Sequence, residues 1–384
     1  MGSYDIIIAG AGAAGLLLAD ALGNDPYFRK HSILLLEKDP IKGNDRTWCF
    51  WEAGKGAFDP IIHASWDRLY FSGQSYSASF PIAPYTYKML KGADFYREYH
   101  KRLNSYPNLS LKTGMVTSMK EVGEEVLVYT SQGNYSGKMV FNSLFSWKDL
   151  KTQSRYPVLQ QHFMGWFIRS ETPVFEAGTA TFMDFSIGQH GNTRFMYVLP
   201  FSDREALVEY TLFSAELLPD AEYEAALEHY IRHKLGCSNY RVLEREKGQI
   251  PMSCHDFTTG NTDRILHIGT AGGWAKPSTG YTFMNTYRNT AALLQHLREG
   301  KRLSSFGTKT RFWWYDLLLL DILARDNGKG RQIFEALFSQ RKAPLILKFL
   351  DEQTTIWEDI RVIMACPKKD FIISLLNRLT GRTP

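Results

Sequence analysis

The chain has 384 residues, 44% hydrophobic and 22% charged, the composition of a folded protein with room for two coupled domains or one large α/β domain. Its net charge of +5 is uneven, since residues 301–384 carry 15 Lys and Arg against 9 Asp and Glu. No dense basic stripe or RNA-binding signature accompanies this excess, so the composition disfavours a nucleic-acid partner. It leaves open an anionic membrane surface or an ordinary solvated helical face.

The four cysteines lie far apart and form no CxxC pair. They predict neither a disulfide framework nor a metal site, and they favour a reducing, cytoplasmic compartment. No uncharged apolar run approaches the ~20 residues that span a bilayer. The apolar N-terminus is interrupted by Asp5 and by glycines, unlike a signal peptide. We therefore expect a soluble or peripherally membrane-bound protein.

Periodicity and turn signals predict alternating strands and helices, then a strand-rich middle, then a helical end. The predicted elements are strands over 4–9 and 32–36, helices over 13–22, 94–104 and 221–235, a meander of short strands over 109–141, a hairpin of 194–199 with 206–213, a strand over 265–268, a helix over 283–298, and helices from 306 onward with breaks at Gly328, Pro344 and Pro367.

The segment Gly10-Ala-Gly12-Ala-Ala14-Gly15 has GxGxxG spacing between the first strand and the first helix. The first glycine permits a tight turn, the second lets backbone approach a pyrophosphate, and the third lets helix and strand pack closely. Phosphates then lie at the helix N-terminus, where free N–H groups favour anions. Glu37 ends the next strand, where a carboxylate accepts hydrogen bonds from a ribose. The pattern predicts a dinucleotide site.

FAD fits this pattern better than NAD, and NADP is disfavoured because Glu37 would repel a 2′-phosphate. An early Rossmann strand, a long insertion and a late strand–glycine loop–helix are typical of two-domain flavoenzymes. The late loop, residues 269–281, is dense in small residues that bring backbone amides close to a planar ligand, although an ordinary surface loop is the alternative. The predicted ligand contacts in this loop are Gly269, Gly272, Thr279 and Gly280.

Residues 45–51, Asp-Arg-Thr-Trp-Cys-Phe-Trp, are interpreted as a loop after the second strand. In a Rossmann flavoenzyme that loop approaches the flavin, so Arg46 is a candidate contact to a phosphate or the ring. Trp48, Phe50 and Trp51 are candidates for the substrate side. A merely packed loop is the alternative.

Glu209 lies in the middle of the second hairpin strand, with Leu207 and Thr211 on its own face. A carboxyl group among apolar side chains has its pKa raised by desolvation, which keeps it protonated near neutrality as a usable acid. The alternative is a structural strand glutamate paired with Arg194 or with a lysine near the edge.

These segments together resemble bacterial-type lycopene β-cyclases. The resemblance rests on GAGAAG with Glu37, DRTWCFW at 45–51, YVLPFS with ALVEYT between 197 and 211, and GTAGGWAKPSTGY at 269–281, in unchanged order over most of the first 300 residues. It implies that Glu209 is the catalytic acid/base. Tyr210 stands where relatives often carry an acid, so the group that completes the proton relay is left open. Thr270 stands where the wider FAD superfamily often has Asp, and it receives no role.

The resemblance implies closure of the ψ-ends of lycopene to β-ionone rings, giving β-carotene through γ-carotene. The reaction uses reduced FAD without net redox change, and NAD(P)H reduces the flavin. A dry channel excludes water from the cation, and aromatic faces stabilise it. The candidate channel residues are Trp48, Phe50, Trp51, Tyr197 and Tyr281. Because lycopene lives in the bilayer, the enzyme is expected to be cytoplasmic and peripherally associated with the inner membrane. Residues 309–320 are interfacial in composition or, alternatively, a core-facing helix.

The expected fold is α/β: a Rossmann-type FAD-binding domain, an inserted mixed β-sheet substrate domain and a helical C-terminal segment. The predicted boundaries are 1–70, 105–158 and 258–300 for the FAD domain, 71–104 and 159–257 for the substrate domain, and 301–384 for the helical cap. Two rival functions stay open. One is a flavin-dependent monooxygenase or polyprenyl reductase of the same fold, and the other is a non-catalytic carotenoid-binding flavoprotein.

Overall fold

A computed structural model describes residues 2–39, 41–307 and 309–381. The strands of this part of the chain, in chain order, are β1 (Gly2–Ala9), β2 (Ile33–Glu37), β3 (Thr47–Ala53), β4 (Ala64–Trp66), β5 (Arg68–Ser72), β6 (Ser77–Pro81), β7 (Tyr85–Lys91), β8 (Leu109–Thr113), β9 (Val116–Val122), β10 (Glu125–Thr130), β11 (Gly133–Asn142), β12 (Leu159–Ser170), β13 (Thr179–Asp184), β14 (Thr193–Pro200), β15 (Glu205–Ser214), β16 (Tyr240–Met252) and β17 (Ile265–His267).

The α-helices of the same part are α1 (Ala13–Asn24), α2 (Gly92–Leu103), α3 (Trp147–Thr152), α4 (Asp220–His229), α5 (Phe283–Arg298), α6 (Arg311–Arg325), α7 (Lys329–Gln340), α8 (Ala343–Leu350), α9 (Ile356–Ile363) and α10 (Lys368–Leu379). No helix among the described residues is long and apolar enough to cross a membrane. The chain divides into two compact units, each built from three stretches of sequence.

The first unit contains the described residues of 2–48, 91–154 and 254–310. Its sheet has the order β8-β2-β1-β11-β10-β9, with β17 paired to β11. β8, β2, β1, β11 and β17 run parallel, and β9, β10 and β11 form an antiparallel meander. β1 and β2 are almost continuously apolar because they are covered on both faces. The Rossmann arrangement is thus confirmed, although β8 joins the parallel edge rather than the predicted meander.

The second unit contains the described residues of 49–90, 155–253 and 311–381. Its large sheet has the order β16-β12-β15-β14-β13-β5-β6, antiparallel except for the parallel pair β13 and β5. A smaller sheet has the order β3-β7-β4. One face of the large sheet packs against α4 through a cluster that includes Trp166, Met196, Val208 and Leu212. The mixed sheet and the helical C-terminal segment are as predicted.

The residue ranges of these units differ from the predicted boundaries in three places. Residues 91–104 belong to the first unit, because α2 packs against α1. Residues 49–70 and the C-terminal helices belong to the second unit, since β3 pairs with β7 in the small sheet. The expectation of a loop at 45–51 is wrong over its second half, where β3 begins at Thr47 and alternates bulky side chains along a strand.

The helix α6 is mainly a core helix. Phe312, Leu317 and Leu320 are buried, whereas Trp314 is 51% exposed. The core-facing alternative for residues 309–320 is therefore the observed one. Exposed apolar side chains lie instead on α9 and α10, which follow it in the same unit.

Candidate functional site

The three glycines of the first turn play three different structural roles. Gly10 has φ +95°, in the region that favours glycine, and an added Cβ would lie 2.4 Å from Ser143 Oγ. At Gly15 an added Cβ would lie 1.9 Å from the Gly10 carbonyl oxygen, so only glycine lets α1 pack this closely on β1. At Gly12 an added Cβ would meet nothing within 4 Å. The turn therefore presents open space at the position where a pyrophosphate approaches backbone.

Glu37 is tied to this turn by hydrogen bonds. Its Oε2 accepts from the Ala11 N–H (2.6 Å) and from Lys42 Nζ (3.0 Å), while its Oε1 accepts from the Asp39 N–H (3.1 Å). Burial raises the pKa of Glu37, but the hydrogen bonds from Lys42 and Ala11 outweigh it and hold the pKa below its usual range. An ionised carboxylate beside a glycine turn suits a ribose hydroxyl. Lys42, which the sequence patterns do not single out, is a further candidate because it pairs with Glu37.

The late glycine loop packs on the start of α1. Gly269 has φ +60°, and an added Cβ there would lie 2.6 Å from the Cβ of Ala14. Gly272 has no room either, since an added Cβ would lie 2.2 Å from the His267 carbonyl oxygen. Gly280 has φ +70° and closes the loop, with its N–H bonded to Lys276 O at 2.8 Å.

This loop also holds a buried polar atom with no protein partner. Thr279 is 4% exposed, and its Oγ1 has no hydrogen-bond partner among the described residues. Such an atom is expected to be satisfied by a ligand. The open turn at Gly12, the ionised Glu37 and the orphaned Thr279 hydroxyl fit a bound dinucleotide.

The other candidates of the first unit sit beside aromatic packing. Trp48 stacks on Phe283 with centroids 5.0 Å apart and meets Phe95 edge-on. Arg46 is exposed, and its Nη1 donates to the Asp45 carbonyl at 3.1 Å. The Tyr281 carbonyl accepts from the Lys276 N–H at 2.9 Å. Their assignments to flavin or substrate stay predictions.

Phe50, Trp51 and Tyr197 belong to the second unit and are buried. The indole N–H of Trp51 donates to the Leu347 carbonyl at 3.1 Å, which anchors β3 to α8. Tyr197 is directly opposite Glu209 in the pairing of β14 with β15. Of the three, Tyr197 is therefore the residue whose backbone register places it beside the candidate acid.

Glu209 lies on the sheet face opposite the α4 cluster, with Leu207 and Thr211 on its side as predicted. Its side chain keeps partial exposure, and its Oε1 accepts a hydrogen bond from the Thr211 hydroxyl at 2.5 Å. Burial, reinforced by the neighbouring carboxyl group of Glu246, raises the pKa of Glu209 well above its usual range. Burial therefore favours the neutral, protonated form of Glu209.

The alternative pairing of Glu209 with Arg194 is wrong. Nη1 of Arg194 donates to the Tyr210 hydroxyl (2.9 Å) and to Glu222 Oε1 (2.7 Å), on the α4 face of the sheet. Tyr210 points to that same face because side chains alternate along a strand. The position next to Glu209 in sequence therefore cannot supply its relay partner.

A second carboxyl group reaches Glu209 from two strands away. Glu246 of β16 is 7% exposed, and its carboxyl group is the neighbouring acid that helps burial to raise the pKa of Glu209. Cys49 is a third member of the cluster, since burial and then the two glutamates raise the pKa of its thiol, which hydrogen-bonds with Tyr87. Glu246 is not predictable as a neighbour of Glu209 from sequence, because residues 240–252 have the composition of a charged, exposed segment. The only signal in the sequence is that side chains alternate between the two faces of a strand, which places Glu246 on the face opposite to Arg245 and Lys247.

The first unit has a Rossmann sheet with this glycine turn and late loop, and the second is built on a mixed sheet, which defines a two-unit fold of the Rossmann class. The fold resembles a flavoprotein/dehydrogenase from Cytophaga hutchinsonii (TM-score 0.61, 13% identity, 98% of this chain and 100% of that chain). It also resembles a geranylgeranyl bacteriochlorophyll reductase-like protein from Thermoplasma acidophilum (TM-score 0.59, 13% identity, 98% and 96%).

At the level of sequence, residues 5–378 match the lycopene cyclase protein family. Lycopene β-cyclases of Paracoccus sp. (strain N81106 / MBIC 01143) and Pantoea ananas are each 25% identical, over 73% of this chain and 70% and 71% of their own lengths. The chain belongs to the lycopene cyclase family, and it is a cyclising enzyme of the intramolecular lyase class.

Proposed function

We propose that the protein is a lycopene β-cyclase that closes the ψ-ends of lycopene to β-ionone rings, giving β-carotene through γ-carotene. The observation that carries the proposal is Glu209, a carboxyl group whose pKa is raised by burial, in a lycopene cyclase family member. The reaction adds one proton to a carbon–carbon double bond and removes one proton after ring closure. It is an isomerisation, so substrate and product have the same composition.

Glu209 acts as the acid and then as the base. Its proton goes to the terminal double bond, and the adjacent double bond closes the ring and leaves a tertiary cation. A proton from the ring then returns to the carboxylate, which restores the resting state. The apolar rows on either side of Glu209 exclude the water that would capture the cation as an alcohol. They contain Leu207 and Phe167 on one side, and Phe163 and Phe195 on the other.

FAD is the proposed cofactor, in its reduced form, with NAD(P)H as the electron donor that reduces it. The residues proposed to bind the ADP half are Gly10, Gly12, Ala14, Gly15 and Glu37. Those proposed to bind the flavin half are Gly269, Gly272, Thr279 and Gly280, with Arg46 as a further contact. When bound, the reduced flavin supplies negative charge that stabilises the cation electrostatically.

Because the substrate is lipophilic, the enzyme is expected to contact a membrane. The consecutive helices α9 and α10 expose apolar side chains that are suited to this contact. On α9, Ile356, Trp357 and Ile360 are 63%, 78% and 45% exposed. On α10, Leu376 and Leu379 are 54% and 73% exposed, on the same stripe as Ile372 and Leu375. Stripes at this spacing normally face a core, so their exposure marks a binding surface.

The charges around these stripes favour an anionic bilayer. Within 356–379 the exposed charged side chains are Arg361, Lys368 and Lys369, all basic. Two acidic side chains of the segment are paired with lysines, Glu358 with Lys348 and Asp370 with Lys329, which neutralises their charge. We place the peripheral contact with the inner membrane of the cell on this surface, called the α9–α10 surface below.

Anaerobic turnover separates the proposed cyclase from a redox enzyme of the same fold. Purified protein with pre-reduced FAD is expected to convert lycopene with no further electron input. A monooxygenase or polyprenyl reductase needs NAD(P)H in proportion to product, so a strict dependence of product on added NAD(P)H rejects the cyclase.

The variant Glu209→Gln separates the cyclase from a carotenoid-binding flavoprotein. It is expected to bind FAD and lycopene but to lose cyclisation by ~10²-fold or more, the usual contribution of a general acid. Glu205→Gln is the control, because this glutamate on the same strand pairs with Arg169 at the exposed end. Wild-type activity in Glu209→Gln rejects the assignment of the acid. In lycopene-accumulating cells the active protein turns the pigment from red to orange-yellow.

A further inference from the structure

The hydroxyl group of Thr211 is bonded to the carboxyl group of Glu209. Both residues lie on β15, two positions apart, and side chains at this spacing point to the same face of the sheet. Thr211 Oγ1 donates to Glu209 Oε1 at 2.5 Å, which is a short distance for a hydrogen bond between two oxygen atoms. Thr211 is 0% exposed, so this hydrogen bond lies inside the protein and does not compete with water.

The side chains on either side of Thr211 direct its hydroxyl group along the strand. The pairings place Phe163 of β12 opposite Thr211 on one side and Phe195 of β14 on the other, and neither phenylalanine side chain has a hydrogen-bonding atom. Phe195 is itself buried and meets the ring of Phe213 edge-on, with centroids 5.5 Å apart. A β-branched side chain is stiff at χ1. The threonine hydroxyl therefore keeps one direction, toward Glu209.

This hydrogen bond gives the two carboxyl oxygens of Glu209 different roles. A protonated carboxyl group has a carbonyl oxygen, which accepts, and a hydroxyl oxygen, which donates. Oε1 accepts from Thr211, so it is the carbonyl oxygen of the protonated form, and the acidic proton is on Oε2. The carboxyl group cannot turn over and exchange its two oxygens without breaking the bond to Thr211.

The bond from Thr211 strengthens as Glu209 loses its proton. Hydrogen bonds to an ionised group are roughly twice as strong as those between neutral groups. Burial is the largest influence on the pKa of Glu209 and raises it, whereas the hydrogen bond from Thr211 lowers it. The threonine thus stabilises the carboxylate that develops during proton transfer more than the resting carboxyl group. Interactions that are stronger in the transition state raise kcat.

We propose that Thr211 is a positioning residue for the proton transfer: it holds Oε1 of Glu209 and leaves Oε2 to exchange the proton with the substrate. This inference rests on the proposed cyclase function. The O–H bond at Oε2 breaks as a C–H bond forms at the terminal double bond. After ring closure a C–H bond of the ring breaks and the O–H bond at Oε2 forms again, so protons balance and no electrons are exchanged. Thr211 keeps its own proton and acts through Glu209.

The test compares Thr211→Val, which keeps the branched shape and removes the hydroxyl group, with Thr211→Ser, which restores it. Thr211→Val is expected to lower kcat ~10-fold or more, the value of one hydrogen bond to a charged group, with little change in KM. Thr211→Ser is expected to recover most of this loss.

Thr193→Val is the matched control for a lost buried hydroxyl group. Thr193 is also 0% exposed and lies on the same face of the sheet, on β14, but its hydroxyl donates to the Asn327 carbonyl at 2.6 Å. Thr193→Val therefore loses a comparable hydrogen bond away from Glu209, and it is expected to keep the wild-type kcat. Wild-type kcat in Thr211→Val, or a Thr211→Ser variant as slow as Thr211→Val, overturns the positioning role.

Infrared spectroscopy gives a second measurement that does not depend on turnover. The carbonyl stretch of protonated Glu209 is the band that Glu209→Gln removes from the wild-type spectrum. A carbonyl group that loses a hydrogen bond vibrates at higher frequency, so this band is expected to rise in Thr211→Val and to stay in place in Thr193→Val. An unmoved band in Thr211→Val, or the absence of such a band from the wild type, overturns the assignment of the two oxygens. The expected band shift in a protein that converts no lycopene overturns the cyclase function instead.

Discussion

Gly12 and Gly15 lie three residues apart, yet the structure predicts opposite effects of an alanine substitution on the stability of the fold. At Gly15 an added Cβ would lie 1.9 Å from the Gly10 carbonyl oxygen, against the 3.4 Å of ordinary contact. The obstacle is backbone, so Gly15→Ala forces α1 to withdraw from β1 by about 1.5 Å. Overpacking of this kind costs ~1–3 kcal/mol of folding free energy, which lowers Tm by ~2–10 °C in a unit of this size.

Gly12→Ala is expected to leave the fold intact. Its φ of −77° suits alanine, and its Cβ would have nothing within 4 Å. The new methyl group would instead occupy the space that the pyrophosphate approaches, so FAD affinity is expected to fall at least ~tenfold, which is ~1.4 kcal/mol. Gly178→Ala is the matched control, because this glycine also has open space around it but lies in the second unit.

The assay measures Tm of the FAD-free protein and, separately, flavin bound after reconstitution. Gly15→Ala is expected to lose both stability and flavin, Gly12→Ala flavin alone, and Gly178→Ala neither. Wild-type flavin binding by Gly12→Ala would show that no phosphate approaches this turn. An unchanged Tm for Gly15→Ala would refute the packing argument.

Three further outcomes are expected. Trp357→Glu combined with Leu376→Glu is expected to abolish co-flotation with vesicles of phosphatidylglycerol and phosphatidylcholine. Leu243→Glu, on β16 and about as exposed as Leu376, is expected to float like the wild type, and flotation of the double variant contradicts the α9–α10 surface. Arg378→Met removes the guanidinium that donates to the buried Asp321 carboxylate at 2.5 and 2.7 Å. Urea unfolding is expected to show a loss of ~3–5 kcal/mol in the free energy of unfolding, which adding Asp321→Asn largely restores. An unchanged unfolding midpoint in Arg378→Met contradicts a stabilising role of this ion pair. The hydrogen bond from Lys138, followed by those from Ser32, lowers the pKa of Asp5 to about 2. The ionised Asp5 therefore contributes to stability above pH 3.8, and this contribution is lost as the pH falls toward 2. Identical acid unfolding of Asp5→Asn and the wild type would contradict this contribution.

The glycine turn was predictable because its determinants are local. Strand, turn, helix and the acid at the end of the next strand all lie within residues 4–37, and the structure gives Gly10 and Gly15 the turn and packing roles that their spacing suggests. The face assignment of Glu209 was predictable for the same reason, since alternation along one strand needs no partner. Both conclusions depend on the chain's own geometry over a few residues.

Glu246 was not predictable, because its position depends on long-range register. Nothing near residue 246 indicates that β16 pairs with β12 so as to bring this glutamate to Gly165. Charged residues before Thr47 favour a loop, although the alternating bulky side chains of Thr47–Ala53 are typical of a strand. The stripes on α9 and α10 have the spacing of core stripes, and only burial distinguishes them.

The interleaving of the two units has a consequence for how this enzyme can be taken apart or recombined. Each unit is assembled from three separated stretches, so the chain passes from one to the other five times. No single cut yields either unit whole, and a truncation after residue 310 removes every C-terminal helix of the second unit while leaving its sheets. A chimera that exchanges one unit for that of a relative therefore needs five crossovers.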